Sequence, residues 1–219
     1  MLDYRLMKRA SNHPLESGRV LQKARTREAL IHAARELLAR GTAPTVEEVA
    51  AEASLSRATA YRYFPSQAEL LVATFPEIGR ASLLGESPPA GAAERLEIVT
   101  AELARTAIEH EAELRAMLRL SLEGDARTSG ELPFRVGRRI TWVADALSPL
   151  RGQIPEPELS RLVLAIASAV GIDALVWLTD IAGLSRPEAA DLMRWSARTL
   201  LTAALSGAIA PDPPEHSTS

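Results

Sequence analysis

The stretch that most restricts this chain is Thr45 to Phe64, TVEEVAAEASLSRATAYRYF. It sets a capping residue before each of two short runs. Thr45 with Glu48 fits the S/T-x-x-E capping box, in which a hydroxyl and a carboxylate satisfy backbone N–H groups that a helix start leaves open. Val46, Val49, Ala50 and Ala53 then make one apolar stripe. Ser54 to Ser56 reads as a turn, and Ser56 can cap a further helix, Arg57 to Phe64, that Pro65 stops. Ser66 with Glu69 makes a second box and opens a fourth helix near Gln67. At 100° per residue, Ala60 and Phe64 share one side of the Arg57–Phe64 helix. Ala58, Thr59 and Arg62 occupy the opposite arc, flanked by Arg57, Tyr61 and Tyr63.

The rest of the chain suits helices. Strand formers are sparse, with aromatics at only 4%, and alanine and leucine dominate, so 3.6-residue periodicity points to an all-α protein. The chain lacks cysteine, which removes disulfides, thiolate metal sites and thiol catalysis and suggests a reducing, cytoplasmic setting. The first 20 residues carry charges throughout and no apolar run of the secretory kind. Leu162 to Leu178 is the most apolar stretch, but it is shorter than a membrane span of about 20 residues and contains Ser168, Gly171 and Asp173.

Punctuation divides the chain into about nine helices. Residues 1–22 read as a loose basic arm. Thr26 is a plausible N-cap for a first helix to about Arg40, ended by Gly41. Pro76 should kink or break the fourth helix. A linker at 85–91 follows, then helices near 92–109, 111–122, 133–148, 156–181 and 186–206. The domain scheme is an arm (1–22), a three-helix helix-turn-helix head (23–83, with the motif at 45–64), a helical ligand-binding and dimerisation domain (84–208) and a tail (209–219).

The net charge of −3 hides an asymmetry: residues 1–75 hold 11 Lys/Arg against 8 Asp/Glu, and the remainder is acidic. A basic half points towards nucleic acid. A helix-turn-helix lays its second helix in the major groove, and the polar arc of 57–63 has suitable chemistry. Arg57 or Arg62 could bond guanine O6 and N7, and Ala58 permits close approach. Thr59 and the hydroxyls of Tyr61 and Tyr63 could bond phosphates. Helix starts near Thr45 and Ser66 offer N–H groups to phosphate. A small helical hairpin with a wet polar face would carry the same residues, so a helical ligand- or partner-binding protein that does not read DNA remains an alternative.

Residues 26–75 resemble the DNA-binding domain of the TetR (tetracycline-repressor-like) family of transcriptional regulators. The resemblance lies in TREALIHAARELLARG followed by TVEEVAAEASLSRATAYRYFPSQAELL. It implies a homodimer on a palindromic operator, repression relieved by a small-molecule effector, and no cofactor. It maps the recognition helix onto Arg57 to Tyr63 and a phosphate contact onto Thr45. Gln67 stands where the family very often has a phosphate-pairing lysine, Ser54 where the turn usually has glycine, and Pro76 inside the helix that leads out of the head.

In the second half, 156–181 is apolar nearly all round and 186–206 carries a leucine-rich stripe, so two such helices from each of two chains would make a four-helix dimer bundle. An effector pocket would be lined by Met117, Trp142 and Trp177, with Asp173 as a polar group inside an apolar run. Glu109, His110, Glu111 and Glu113 lack the E-x-x-H spacing of a carboxylate metal bundle and read as a solvated junction, as do Arg138 and Arg139. Metal-protease, nucleophile-elbow, phosphate-loop and dinucleotide fingerprints are missing, so an enzyme is not expected.

Overall fold

A computed structural model of the chain describes residues 13–41, 43–75, 79–123 and 138–207. Ten α-helices form among them, and the chain divides into a unit ending at Pro76 and one beginning at Glu77.

The first unit holds α1 (His13–Ala39), α2 (Val46–Glu52), α3 (Arg57–Tyr63) and α4 (Gln67–Thr74). Its core is Leu30, Ile31, Ala33 and Ala34 of α1, Val46, Val49 and Ala50 of α2, Ala60 and Phe64 at α3, and Leu70 of α4. Small residues at the α2–α3 crossing let the two backbones approach. The first helix begins well before Thr26, which is not its N-cap: the Thr26 hydroxyl donates to Gln22 O at 3.0 Å, one turn back inside α1. Good helix formers run through 20–25, and Pro14 sits in the first turn, where it forfeits no helix bond. From Val20 to Ala29 every residue is exposed except half-buried Thr26. Arg35 Nε donates to Thr74 O at 3.1 Å and ties α1 to the end of α4. Phe75 is extended (φ −107°, ψ 92°), as a residue before proline prefers. The kink or break expected at Pro76 lies outside the described residues, as do the tail 209–219 and the first 12 residues of the arm.

The second unit is built on α5 (Ala92–Glu109), whose Leu96, Val99, Leu103, Ala104 and Ala107 are buried. It packs against α6 (Glu111–Glu123), α7 (Arg138–Ala146), α9 (Ile172–Val176) and α10 (Arg186–Leu205), while α8 (Glu156–Ser168) packs on α7 and α10. The helix expected at 133–148 is described from Arg138 to Ala146, with a 3-10 turn at Ser148–Leu150.

The helix expected over 156–181 is not continuous. Gly171 (φ 102°) separates α8 from α9, and the two segments are bent by 45°. A side chain at 171 would be strained by that φ, and its Cβ would run into the Arg139 guanidinium. A π-helical turn, Trp177–Ile181, continues α9, with Ala182 N–H reaching Trp177 O at 3.0 Å. This break supplies the tenth helix. Among the described residues no single helix is long and apolar enough to cross a membrane.

Candidate nucleic-acid interface

The geometry of the polar surface starts from two helix caps. Thr45 N–H donates to Glu48 Oε2 at 2.7 Å, and Glu48 N–H donates to Thr45 Oγ1 at 3.2 Å, closing the expected box. The same hydroxyl lies 3.0 Å from Glu48 Oε2, so Thr45 spends it on the cap. Ser56 Oγ accepts the Thr59 N–H at 3.2 Å and lies 2.9 Å from Thr59 Oγ1. Such caps contribute about 1 kcal/mol each. At α4 the Ser66 hydroxyl accepts the Glu69 N–H at 3.2 Å, the hydroxyl half of the expected box.

The caps fix which way α3 rolls. Ala60 and Phe64 are buried, and Arg57, Ala58, Tyr61 and Arg62 are exposed on the other side, as the 100° spacing predicts. Thr59 is half-buried. Tyr63 is also half-buried and packs on the head core, with the Arg62 guanidinium 5.6 Å from its ring centre. Arg27 of α1 stands 5.5 Å from the Phe64 ring centre, a cation–π contact that ties the exposed half of α1 to the end of α3. Beside it, Gln22, Lys23, Arg62 and Tyr63 line a groove of about 380 Å³.

Two side chains are placed in ways that sequence alone did not suggest. Gln67 is half-buried, and its amide nitrogen donates to Pro44 O at 3.0 Å and Ala43 O at 3.3 Å. It braces the segment that leads into the Thr45 cap. Tyr61 donates its hydroxyl proton to Glu47 Oε1 at 2.6 Å, across the crossing of α2 and α3. That bond holds the Glu47 carboxyl below its usual range and raises the Tyr61 phenol, while nearby Arg57 lowers both. Glu47 went unnoticed in the sequence because residues 14 apart on two helices show no common period. The turn between the helices puts Ser54 at φ 54°, the left-handed region expected of the missing glycine.

The four residues expected to line an effector pocket separate into two kinds. Met117 of α6 and Trp142 of α7 are buried, and α5 packs against both helices. Trp142 Nε1 donates to Arg80 O at 3.0 Å. Trp177, which opens the π-helical turn, is 56% exposed. Asp173 is gripped by the Arg139 guanidinium, which also donates to Val170 O at 2.5 Å. Arg139 is thus no wet-face residue: it bridges α7 to the break between α8 and α9. Glu111 of the acidic junction takes both Arg115 (2.8 Å) and Arg186 (2.6 Å).

Residues 30–74 match the family model described as bacterial regulatory proteins, tetR family. The fold matches the crystal structure of a TetR transcriptional regulator from Rhodococcus sp. RHA1, with TM-score 0.52 and 24% identity over 83% of this chain and 98% of that one. It also matches Thermus thermophilus FadR, a TetR-family transcriptional repressor in complex with lauroyl-CoA, with TM-score 0.55 and 22% identity over 86% of this chain and 97% of that one. No curated protein matches the chain. Residues 30–74 thus match the head of the tetR family, and the chain shares its fold with two solved regulators of that family.

Proposed function

We propose that the chain is a repressor that binds a palindromic duplex operator as a homodimer and releases it when a small-molecule effector occupies the second unit. The observation that carries this reading is α3: Ala60 and Phe64 anchor it in the core, and Arg57, Ala58 and Arg62 stand exposed on the opposite side. In the major groove, Arg57 or Arg62 would bond guanine O6 and N7, with Ala58 permitting close approach. The hydroxyl of Thr45 serves its cap, so a phosphate contact at that position would compete with Glu48 for it. Thr59 and Tyr63 shape the edges of the surface. Gln67 acts by bracing Pro44 and Ala43, and it brings no charge to a phosphate. Lys23, across the groove beside α1, would sit on the flanking backbone.

The homodimer reading is supported by apolar side chains exposed on the last helices. Leu164 of α8, Trp177 and Ile181 of the π-helical turn, and Trp195 and Leu205 of α10 are each more than half exposed. A groove of about 460 Å³, lined partly by Leu162, Ala165, Leu200 and Ala204, runs between α8 and α10. A second copy of these helices would cover such a surface, and two heads in a dimer would meet successive major grooves about 34 Å apart. The effector reading draws on the lauroyl-CoA complex of the Thermus thermophilus repressor. In this chain the apolar lining would come from Met117 and Trp142, with the Arg139–Asp173 pair at the α8–α9 break positioned to respond.

A mobility-shift titration with the DNA upstream of the protein's own gene, at one stated salt concentration, tests the reading. Specific retardation is expected, and Arg62→Ala should weaken it by about 1–3 kcal/mol. Equal failure with that DNA and with random duplex would overturn it in favour of a helical ligand- or partner-binding protein.

A further inference from the structure

Tyr61 and Glu47 form a pair whose outward chemistry is one-sided. A phenol has one proton, and Tyr61 has given it to Glu47 Oε1 at 2.6 Å. What the phenol oxygen still offers is lone pairs, and an ionised carboxylate offers nothing else. The two residues are held by different helices. Glu47 sits in the first turn of α2, beside the capping box, and Tyr61 stands on α3 next to buried Ala60. Both positions are fixed by the α2–α3 crossing. Tyr61 is 40% exposed and Glu47 half-buried, so the phenol leads and the carboxylate backs it. Arg57, a donor-only group, lies near enough to influence both.

A phosphate oxygen is an acceptor, as are guanine O6 and N7, adenine N7 and thymine O4. None of these suits a group that presents lone pairs. The donors on a major-groove edge are the exocyclic amines, cytosine N4 and adenine N6.

We propose that Tyr61, oriented by Glu47, is an acceptor-only reader that selects an exocyclic amine, on cytosine or adenine, at one position of each operator half-site. The inference rests on the DNA-binding reading above and deepens it. Tyr61 touches the base, and Glu47 is the positioning residue that keeps its proton turned away. The same arrangement sets Tyr61 against a phosphate partner, because two acceptors would face each other there.

Selection from random duplexes with the full-length protein at one salt concentration tests this, using wild type, Glu47→Ala, Glu47→Gln and Tyr61→Phe. Every base pair carries one such amine, so the position read is the one whose preference Tyr61→Phe abolishes, and the base pair and strand selected there tell cytosine from adenine. Replacing that base should cost roughly tenfold in affinity, as single mismatches do. Glu47→Ala frees the phenol to donate as well as accept, so the preference should collapse there and persist at other positions. Glu47→Gln still accepts the phenol proton through its amide oxygen and should retain the preference, while Tyr61→Phe should lose it. Equal urea midpoints for the four proteins show that folding is not the cause. If Glu47→Ala keeps every base preference and binds all duplexes more tightly by one common factor, the carboxylate was only repelling phosphates and the inference is overturned, with the DNA-binding reading intact. If wild type selects nothing, the DNA-binding reading falls and takes the inference with it.

Discussion

Each of the two units is held by bonds of a different reach. Around α2 and α3 of the head, the polar side chains are fixed by partners close in sequence: Thr45 with Glu48 and Ser56 with Thr59, three residues apart, Tyr61 with Glu47 at 14, Gln67 with Pro44 at 23. In the second unit the corresponding partners are Arg115 with Asp180 at 65 residues, Arg186 with Glu111 at 75 and Arg194 with Glu97 at 97. Short-range bonds orient the polar side chains of α3, while Ala60 and Phe64 anchor it in the head core. Long-range ion pairs instead register α6 and the π-helical turn, and α10 with α5 and α6. The Arg115 guanidinium, with help from Thr179, holds Asp180 down at about 2, so this bridge stays charged well below neutral pH.

The largest effect expected of this contrast is in the head core. Phe64→Ala removes a ring that is 3% exposed and carries the Arg27 contact, and should cost the head about 3–5 kcal/mol. A urea titration followed by head-specific signals checks it. A loss under 1 kcal/mol would mean that local caps rather than packing hold α3. Next comes the break in the second unit. Gly171→Ala should cost about 1–3 kcal/mol from the positive φ alone. The added methyl must also displace Arg139. Combined with Arg139→Ala, the loss should fall short of the sum of the two single losses, because the displaced contact is shared. Strict additivity in a double-mutant cycle would break the assignment of Arg139 to the α8–α9 break. The smallest effect lies in the recognition turn. Ser54→Gly relieves a left-handed serine and should gain about 0.5–1 kcal/mol after the extra chain entropy of glycine is deducted. Thermal unfolding reads the gain, and no change in DNA affinity should accompany it, since the caps on either side of the turn are untouched.

The head could be read from the sequence because its determinants are local. Capping residues three apart from their partners, proline and glycine stops, and one apolar stripe per helix each leave a mark within a turn or two. The bounds of α2 and α3 and the burial of Ala60 and Phe64 follow from those marks. The exposed half of α1 was missed because a helix without an apolar stripe has no period to detect, and propensity alone carries it. The break at Gly171 was missed for the opposite reason: the apolar run passes through it uninterrupted, and only φ and the Arg139 contact show why the backbone turns there. Trp177 fits an apolar face on a continuous helix, but its ring stands exposed where the π-helical turn begins.

By itself, then, the sequence determined an all-helical chain with a capped helix-turn-helix and the side of α3 that faces away from the core, because those features depend on neighbours along the chain. Tertiary structure decided which polar groups remain free to act. It committed the Thr45 hydroxyl to a cap, Gln67 to the Pro44 and Ala43 carbonyls, Tyr61's proton to Glu47, and Asp173 to Arg139. A side chain's type lists the bonds it can make. Which of them it has already made depends on what packing brings within about 3 Å of it.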